Sequence, residues 1–339
     1  GRCIDIGFEE AYMEYRRLQR SKGGSFLLSL PKEWVKRNGL DAGSIIRLSE
    51  GEGGALLISA EAGGEGEKVS TAVIRDPEGI ERQIRAQYLL GVDSIVIDLG
   101  RRMTPSIRSE VKEAIRKLIG LEIVEEEANS MTVQCLLQPT SMPVRSTLRR
   151  AYSLAANMHK EAEEALMKGD VELAEAVSKR DEEVDRLYFL LVRQLRLAIR
   201  NQSIAEKLGV RPAECLDLRM AAKYVETIAD YSEAVANSVR KLSGEETEGE
   251  IMEALLSLSR TAYKIHEEAA QALFKGDAKL AEQVLLKNQE LTEGLLAVSE
   301  LLLAKQPRLS AIIDSVSMYL YQIGAYGIDI AELVGGENA

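Results

Sequence analysis

The C-terminal half of the chain contains one segment twice. Residues 159–170 read HKEAEEALMKGD and residues 266–277 read HEEAAQALFKGD, at an offset of 107 residues (266 minus 159). Each copy joins a helical pattern to a Lys-Gly-Asp turn and then to the start of another helical pattern. Repetition of this extent indicates duplication of a helical unit. The second half of the chain is therefore predicted to fold as two copies of that unit.

The sequence from Val144 onward is typical of helices. Glycine and proline are sparse there, and apolar residues recur at intervals of three and four. In the first copy, the pattern predicts helices over residues 146–167, 171–201 and 212–242. We therefore expect an all-α domain of two three-helix bundles over residues 144–339. A chain of 339 residues also has room for one or two further domains.

The first part of the chain is basic, although the whole chain has a net charge of −11. Residues 15–48 contain eight basic and two acidic residues. Their pattern predicts two strands joined by a glycine turn, a short helix that begins at Pro31, and two further strands. Such a unit buries little apolar surface alone, so we expect a small β head over residues 1–62 that is completed by dimerisation.

The middle of the chain follows a Gly/Glu-rich linker at residues 61–68. Alternating patterns predict a β-α-β-α-β-β order and hence a small α/β sandwich over residues 67–140. Its predicted elements are strands 69–75, 93–99, 121–126 and 131–137 and helices 77–90 and 104–119. This segment has no nucleophile beside a base, no metal-ligand spacing and no Gly-rich nucleotide turn. A linking or partner-binding role is the expectation.

The composition restricts the environment of the protein. No apolar run approaches the roughly 20 residues that cross a bilayer, so membrane insertion is not expected. Three widely spaced cysteines, Cys3, Cys135 and Cys215, argue against a disulfide framework. A reducing cytoplasm is the predicted location. The negative net charge also argues against nucleic-acid binding by the whole surface.

Two acidic pairs in the first repeat predict a metal site. Asp181 and Asp185 lie four residues apart, as do Glu226 and Asp230 in the next helix. This spacing places both carboxylates of a pair on one helix face, and two facing helices present four to one metal cluster. Oxygen ligands suit Mg²⁺, Mn²⁺, Ca²⁺ or iron. In a chain with 54 acidic residues, single pairs arise by chance, so the prediction depends on two pairs in consecutive helices.

Other functions remain open at this stage. Carboxylate clusters between helices also perform hydrolysis and redox chemistry, which makes a metal-dependent enzyme one alternative. An open metal position with a proton-transfer group would favour it, but the only histidines, His159 and His266, lie at equivalent repeat positions and are predicted to pack helices. A protein-interaction scaffold without DNA binding is the other alternative.

Two motifs of the head follow one another closely, Leu30-Pro31-Lys32-Glu33-Trp34 and Leu40-Asp41-Ala42-Gly43-Ser44. Together they resemble the AbrB/MazE/SpoVT family of small DNA-binding domains, in which an acidic residue is usual at the position of Ser44. The resemblance implies a homodimer with interleaved strands, whose basic side chains bind DNA mainly through phosphates. The residues that this resemblance assigns to DNA are Arg16, Arg17, Arg20, Lys22, Lys32 and Arg37.

The acidic pairs lie in two segments of the helical domain, Asp181-Glu182-Glu183-Val184-Asp185 and Glu226-Thr227-Ile228-Ala229-Asp230. Both segments are similar to the paired acidic motifs of the PhoU family of phosphate-uptake regulators, and the helical domain as a whole resembles that family. The resemblance implies a divalent or iron-type metal cluster held by Asp181, Asp185, Glu226 and Asp230. In the second repeat, Asn288, Thr292, Tyr321 and Ala325 stand at the corresponding positions, so only one cluster is expected.

Together the two resemblances predict a regulator rather than an enzyme. A fusion of such a head with such a bundle resembles an archaeal arrangement. It implies a cytoplasmic homodimer that binds DNA and contacts a phosphate transporter ATPase or a signalling kinase.

Overall fold

The computed structural model describes residues 15–50, 54–60, 69–242, 248–305 and 309–335. The chain divides into two compact units, Gly1–Lys68 and Val69–Ala339. A small β region, a small α/β region and a mostly helical region follow one another along the chain, which confirms the predicted multidomain fold class. The domain limits 1–62, 67–140 and 144–339 stay predictions.

The first unit contains two short hairpins and one helix. Strand β1 (Gln19–Arg20) pairs antiparallel with β2 (Phe26–Leu27), and β3 (Ile46–Glu50) pairs antiparallel with β4 (Leu56–Ala60). Helix α1 (Lys32–Arg37) lies between the hairpins in sequence. Pro31 precedes this helix instead of forming its first residue, because its ψ of 129° is extended. The predicted order of elements is otherwise confirmed.

This unit has no core of its own among its described residues. None of residues 15–50 and 54–60 whose burial is described is buried. Large apolar side chains are instead exposed on both hairpins and beside them. They are Tyr15, Leu18, Phe26, Leu27, Leu28, Ile45, Leu48, Leu56 and Leu57. Many exposed apolar side chains on so small a unit are typical of an interaction surface.

The second unit begins with a four-stranded sheet and two helices. The elements are β5 (Thr71–Ile74), α2 (Ile80–Leu89), β6 (Ser94–Asp98), α3 (Pro105–Arg116), β7 (Leu121–Glu126) and β8 (Ser130–Cys135). The strand order is β5-β6-β8-β7, with β5 and β6 parallel and the other pairs antiparallel. Helix α2 forms the crossover that a parallel pair requires. All six predicted elements are confirmed with small shifts at their ends.

Eight helices form the helical domain within the described residues. They are α4 (Val144–Lys168), α5 (Val171–Arg200), α6 (Gln202–Leu208), α7 (Glu214–Leu242), α8 (Gly249–Lys275), α9 (Ala278–Leu285), α10 (Asn288–Lys305) and α11 (Ser310–Glu332). Asp170 and Asp277 accept hydrogen bonds from the backbone N–H of Leu173 and Leu280, so each Lys-Gly-Asp turn caps the following helix. The sequence did not predict α6, which begins at the Asn201 cap.

The two repeats differ in their second helix. Helix α5 is continuous over 30 residues, whereas the corresponding segment of the second repeat is divided between α9 and α10. At the junction, the N–H of Lys287 donates to the carbonyl of Val284, three residues back. Such a bond tightens one turn of the helix. The prediction of three helices per repeat was therefore too simple for the second copy.

The two histidines form a buried hydrogen-bonded pair between the repeats. His159 Nδ1 lies 3.0 Å from His266 Nε2. The other ring nitrogens lie 3.1 Å from the hydroxyls of Ser259 and Tyr152. Ser259 in turn donates to the carboxylate of Glu163. Since every ring nitrogen has a protein partner, the predicted packing role of the histidines is confirmed.

One arginine fixes the α/β region to the helical domain. Arg193 of α5 is buried, and its guanidinium donates to the carbonyls of Tyr88 and Val92 at 2.9 and 2.8 Å. It also forms an ion pair with Asp93 at 3.4 Å. These acceptors lie at and just beyond the C-terminal end of α2, where a cation is favourable. Local sequence patterns do not indicate this interaction, because residues about 100 positions apart supply it.

Membrane spanning is not indicated by the described helices. None of them combines the length and the apolar composition that a bilayer crossing needs.

Candidate metal centre

Three of the four predicted metal ligands meet between α5 and α7. One carboxylate oxygen each from Asp185, Glu226 and Asp230 lies within 4.8 Å of the others. The two helices pack side by side in the first repeat, and Glu226 is buried at their interface. Glu226 and Asp230 share a face of α7 because they are four residues apart. The structure thus brings side chains from two predicted pairs together.

The fourth predicted ligand, Asp181, lies beside this group. Its Oδ1 atom is buried and has no hydrogen-bond partner. Burial raises its pKa most, and the carboxylates of Asp230 and Asp185 raise it further. A buried carboxylate oxygen without a partner is costly unless a cation or proton occupies it. The position of Asp181 therefore suits a ligand of the same centre.

The carboxylates of the centre destabilise one another. Burial, followed by the charges of neighbouring carboxylates, raises the pKa of Asp181 and of Asp230 from 3.8 to about 7. Burial and the charge of Glu226 also raise the pKa of Asp185. Like charges at short distance disfavour ionisation, and a bound cation would remove that penalty. Near neutral pH, a cation bound here would therefore relieve the repulsion among these carboxylates.

A lysine that was not predicted from the sequence takes part in this group. Lys223 lies one helical turn before Glu226 on α7 and forms an ion pair with it. Its charge opposes the rise in the pKa of Asp230 and of Asp185. The i, i+3 spacing of Lys223 and Glu226 was visible in the sequence and could have identified the pair.

The geometry fits an oxygen-coordinated metal ion. Ligand oxygens at about 2.0–2.6 Å from a common ion lie at most about 4–5 Å apart. The spacing within 4.8 Å satisfies this limit. All four predicted ligands are carboxylates, which suit Mg²⁺, Mn²⁺, Ca²⁺ or iron better than a structural zinc ion.

The six residues predicted to bind DNA lie on the separate first unit. All of them are exposed: Arg16, Arg17, Arg20, Lys22, Lys32 and Arg37. Arg20 ends β1, Lys22 lies in the turn between β1 and β2, and Lys32 begins α1. A polyanion that approaches the hairpin and the helix would therefore meet several cations.

Two family models match the chain, one in each of its two compact units. A family model described as "PhoU domain" matches residues 148–239, which contain all four carboxylates of the centre. A model described as "Antidote-toxin recognition MazE, bacterial antitoxin" matches residues 19–65. The chain contains a PhoU domain behind a MazE-type head. The two resemblances predicted from the sequence are thus confirmed.

A solved PhoU structure shares the helical fold. PhoU from Pseudomonas aeruginosa is 24% identical, with a TM-score of 0.51 over 56% of this chain and 93% of that one. The phosphate transport system regulatory protein PhoU from Streptococcus pneumoniae is 16% identical, with a TM-score of 0.49 over 56% of this chain and 91% of that one. No curated protein matched the chain. At such identities, the likeness to the Pseudomonas protein shows the fold alone.

The second repeat replaces the acidic positions of the PhoU domain with uncharged residues, of which Asn288 and Thr292 are exposed. Thr292 donates its hydroxyl to the carbonyl of Asn288 within α10. Tyr321 and Ala325 pack against the helical core from α11. Nearby, a ladder of tyrosine rings joins α7 to α11. Its rings, with centroids 5.7–6.0 Å apart, are Tyr319, Tyr231, Tyr326 and Tyr224.

The titrating groups of the PhoU domain predict opposing effects of pH on stability. Burial lowers the pKa of His159 to about 3 and that of His266 well below 6.5. Because the folded protein holds both rings neutral, they stabilise it fully above pH 6.5, and this stabilisation is lost as the pH falls towards about 3. For Asp181 and Asp230, whose folded pKa is raised, stability is present below pH 3.8 and is lost as the pH rises through about 7.

We therefore expect the metal-free double variant Asp181→Asn/Asp230→Asn to be more acid-sensitive than the wild type. In the variant, these two carboxylates no longer oppose the histidine effect, which amounts to up to about 1.4 kcal/mol per pH unit for each histidine. Urea unfolding at pH 7, 5.5 and 4.5 measures the two slopes. Parallel slopes for the variant and the wild type would contradict the predicted carboxylate titration.

Proposed function

We propose that the protein is a regulator of phosphate uptake or phosphate signalling that binds DNA through its head and a metal ion through its PhoU domain. The observation that carries the proposal is the presence in one chain of a PhoU domain with a carboxylate centre and a MazE-type head with exposed cations. The PhoU family of the helical domain supports a role in the regulation of phosphate transport. The proposed role is regulatory, not catalytic.

The metal part of the proposal assigns Asp181, Asp185, Glu226 and Asp230 as ligands of a divalent or iron-type centre. The converging oxygens, the unpartnered Asp181 Oδ1 and the raised pKa values support it. A bound cation would supply the positive charge that these carboxylates lack. Lys223 would then share Glu226 with the ion.

The DNA part of the proposal requires two heads. The exposed leucine, isoleucine and aromatic side chains of the hairpins favour burial against a second copy of the head. Dimerisation would double the number of cations available to one DNA duplex. The remaining assignments follow the resemblance: a cytoplasmic location and contact between the PhoU domain and a transporter ATPase or a signalling kinase.

The head arginines provide the test of DNA binding. We expect Arg16→Gln/Arg17→Gln/Arg20→Gln to weaken binding to genomic duplex fragments and to flatten its dependence on salt. For each phosphate that the variant no longer neutralises, the slope of log K against log salt should fall by about 0.9. Fluorescence anisotropy at 50 to 200 mM salt measures both effects, and light scattering of the complex gives the number of chains.

A triple variant in the PhoU domain serves as the charge-matched control. Arg149→Gln/Arg150→Gln/Arg196→Gln removes the same number of positive charges outside the head and should leave the salt slope unchanged. Wild-type protein that fails to bind duplex DNA at 50 mM salt would refute the DNA part of the proposal and leave the head as an interaction module for protein.

A further inference from the structure

Helix α2 of the α/β region lies beside the carboxylate centre. The guanidinium carbon of Arg85 is 5.6 Å from the centroid of the Phe189 ring. Phe189 follows Asp185 by four residues on α5, so the two side chains share one helix face. Arg85 therefore lies over the same face of α5 that carries a predicted metal ligand, although it belongs to a different layer of the fold.

A second cation of the α/β region joins Arg85 through a shared acidic residue. Glu81 of α2 accepts a hydrogen bond from Lys117 at 3.2 Å and lies 4.0 Å from Arg85. Lys117 also lines a cavity with Arg186 of α5, the residue after Asp185, so both cations lie against the part of α5 that carries the carboxylate centre. The three side chains, which we call the cationic rim, carry two positive charges and one negative charge.

The cationic rim is held in place by the contact between α2 and α5. The buried Arg193 guanidinium binds carbonyls at the end of α2, and Arg200 donates to the carbonyl of Leu90 at 2.8 Å. Phe189 packs against both the helical core and the core of the α/β region. These contacts hold the backbone of α2, and with it the base of the Arg85 and Glu81 side chains, against α5.

We propose that Arg85, Lys117 and Glu81 set the affinity of the carboxylate centre for divalent cations, which makes the α/β region part of the metal site. The proposal rests on the proposed metal binding by the four carboxylates. Without metal, the positive charges of the rim offset the repulsion among the carboxylates. When a divalent cation is bound, the same charges repel it. The rim therefore weakens cation binding, and Glu81 moderates that effect.

The sign of this effect distinguishes the rim from a structural contact. Arg85→Gln and Lys117→Gln should each bind Mn²⁺ about threefold to tenfold more tightly, because a positive charge near a divalent ion has been removed. Glu81→Gln should bind it more weakly by a similar factor, because both cations are then unopposed. The double variant Glu81→Gln/Arg85→Gln removes one charge of each sign and should return the affinity close to that of the wild type.

The experiment is a titration of the chelator-treated full chain with Mn²⁺, with free Mn²⁺ followed by electron paramagnetic resonance. Arg82→Gln is the matched control, since it removes the same charge from α2 but the side chain lies back over Gly79. Urea unfolding of each metal-free variant shows whether the fold is kept. Affinities that fall in every rim variant, whatever the sign of the charge removed, would indicate a structural role only and overturn the proposal.

Two failures are distinguishable in this experiment. If the wild type does not bind Mn²⁺, Mg²⁺ or Fe²⁺, the proposed metal function is wrong and the role of the rim is wrong with it. If the wild type binds Mn²⁺ and Asp185→Asn abolishes binding while the rim variants equal the wild type, only the inference about the rim is overturned.

Discussion

Asp230→Asn is expected to stabilise the metal-free protein and to abolish its stabilisation by metal. The variant removes a carboxylate whose pKa burial and Glu226 raise to about 7. Asp230 is partly exposed, and solvent screens its charge, so we expect a gain of about 1 kcal/mol in the free energy of unfolding at pH 7.5. The wild type should gain about 2.7 kcal/mol from a divalent ion at one hundred times its dissociation constant.

Urea unfolding with and without Mn²⁺ measures both changes on one preparation. Glu183→Gln is the matched control, because residue 183 is exposed and lies on the opposite side of α5 from Asp181 and Asp185. It should leave both values unchanged. A loss of stability in metal-free Asp230→Asn would show that the carboxylate makes a favourable contact there, and would count against the proposed repulsion.

Asp230→Asn is expected to raise stability without metal and to remove the stabilisation by metal, and these opposite signs distinguish a metal ligand from a residue that stabilises the fold. A residue kept for the stability of the fold loses stability when it is neutralised. A residue kept for binding a cation carries a cost in the free protein, which the ligand removes. Asp181, with a buried oxygen that lacks a hydrogen-bond partner, has the character of the second kind. Lys223 and the cationic rim reduce that cost before any ion is bound.

The sequence predicted those features of the centre that depend on local spacing. Asp181, Asp185, Glu226 and Asp230 were selected because four-residue spacing aligns side chains on one helix face, and the structure brings one oxygen from each of three of them together. Most of the helices and strands were predicted for the same reason, since hydrophobic periodicity is a local signal.

Features that depend on packing between distant segments could not be predicted in this way. Arg85 reaches the face of Asp185 only because Arg193 holds the end of α2 against α5, and about 100 residues separate these partners. The histidine pair was predicted to pack helices, but its hydrogen bond across the repeats was not. The tightened turn at Lys287 depends on one backbone bond that leaves no clear sequence signal.

Gly327→Ala is expected to cause a large loss of stability, because helices α8 and α11 of the second repeat approach each other closely there. A Cβ atom at Gly327 would lie 2.8 Å from the backbone N and Cα of His266. Those atoms belong to helix α8, so the methyl group can be accommodated only if α8 and α11 separate. Overpacking against backbone should exceed the gain of about 1 kcal/mol in helix propensity, and we expect a net loss of about 3 kcal/mol.

Two glycine variants calibrate this result in urea unfolding. Gly249 is the first residue of α8, and a Cβ atom there would have no neighbour within 4 Å. Gly249→Ala should therefore be neutral or stabilising. The new methyl group of Gly324→Ala would first meet a side chain, that of Leu291, rather than backbone, so the loss of stability should be intermediate. Equal stability of all three variants would show that α8 and α11 pack less closely at residue 327 than the structure indicates.

The same variant also tests how the second repeat supports the first. Helix α11 packs against both α8 and α7, and α7 carries Glu226 and Asp230. Separation of α8 from α11 should therefore disturb the tyrosine ladder before it reaches the carboxylates. We expect Gly327→Ala to weaken Mn²⁺ binding less than Asp230→Asn does, although it destabilises the fold more. A repeat that lacks the acidic motif would then act as the scaffold on which the metal-binding repeat is held.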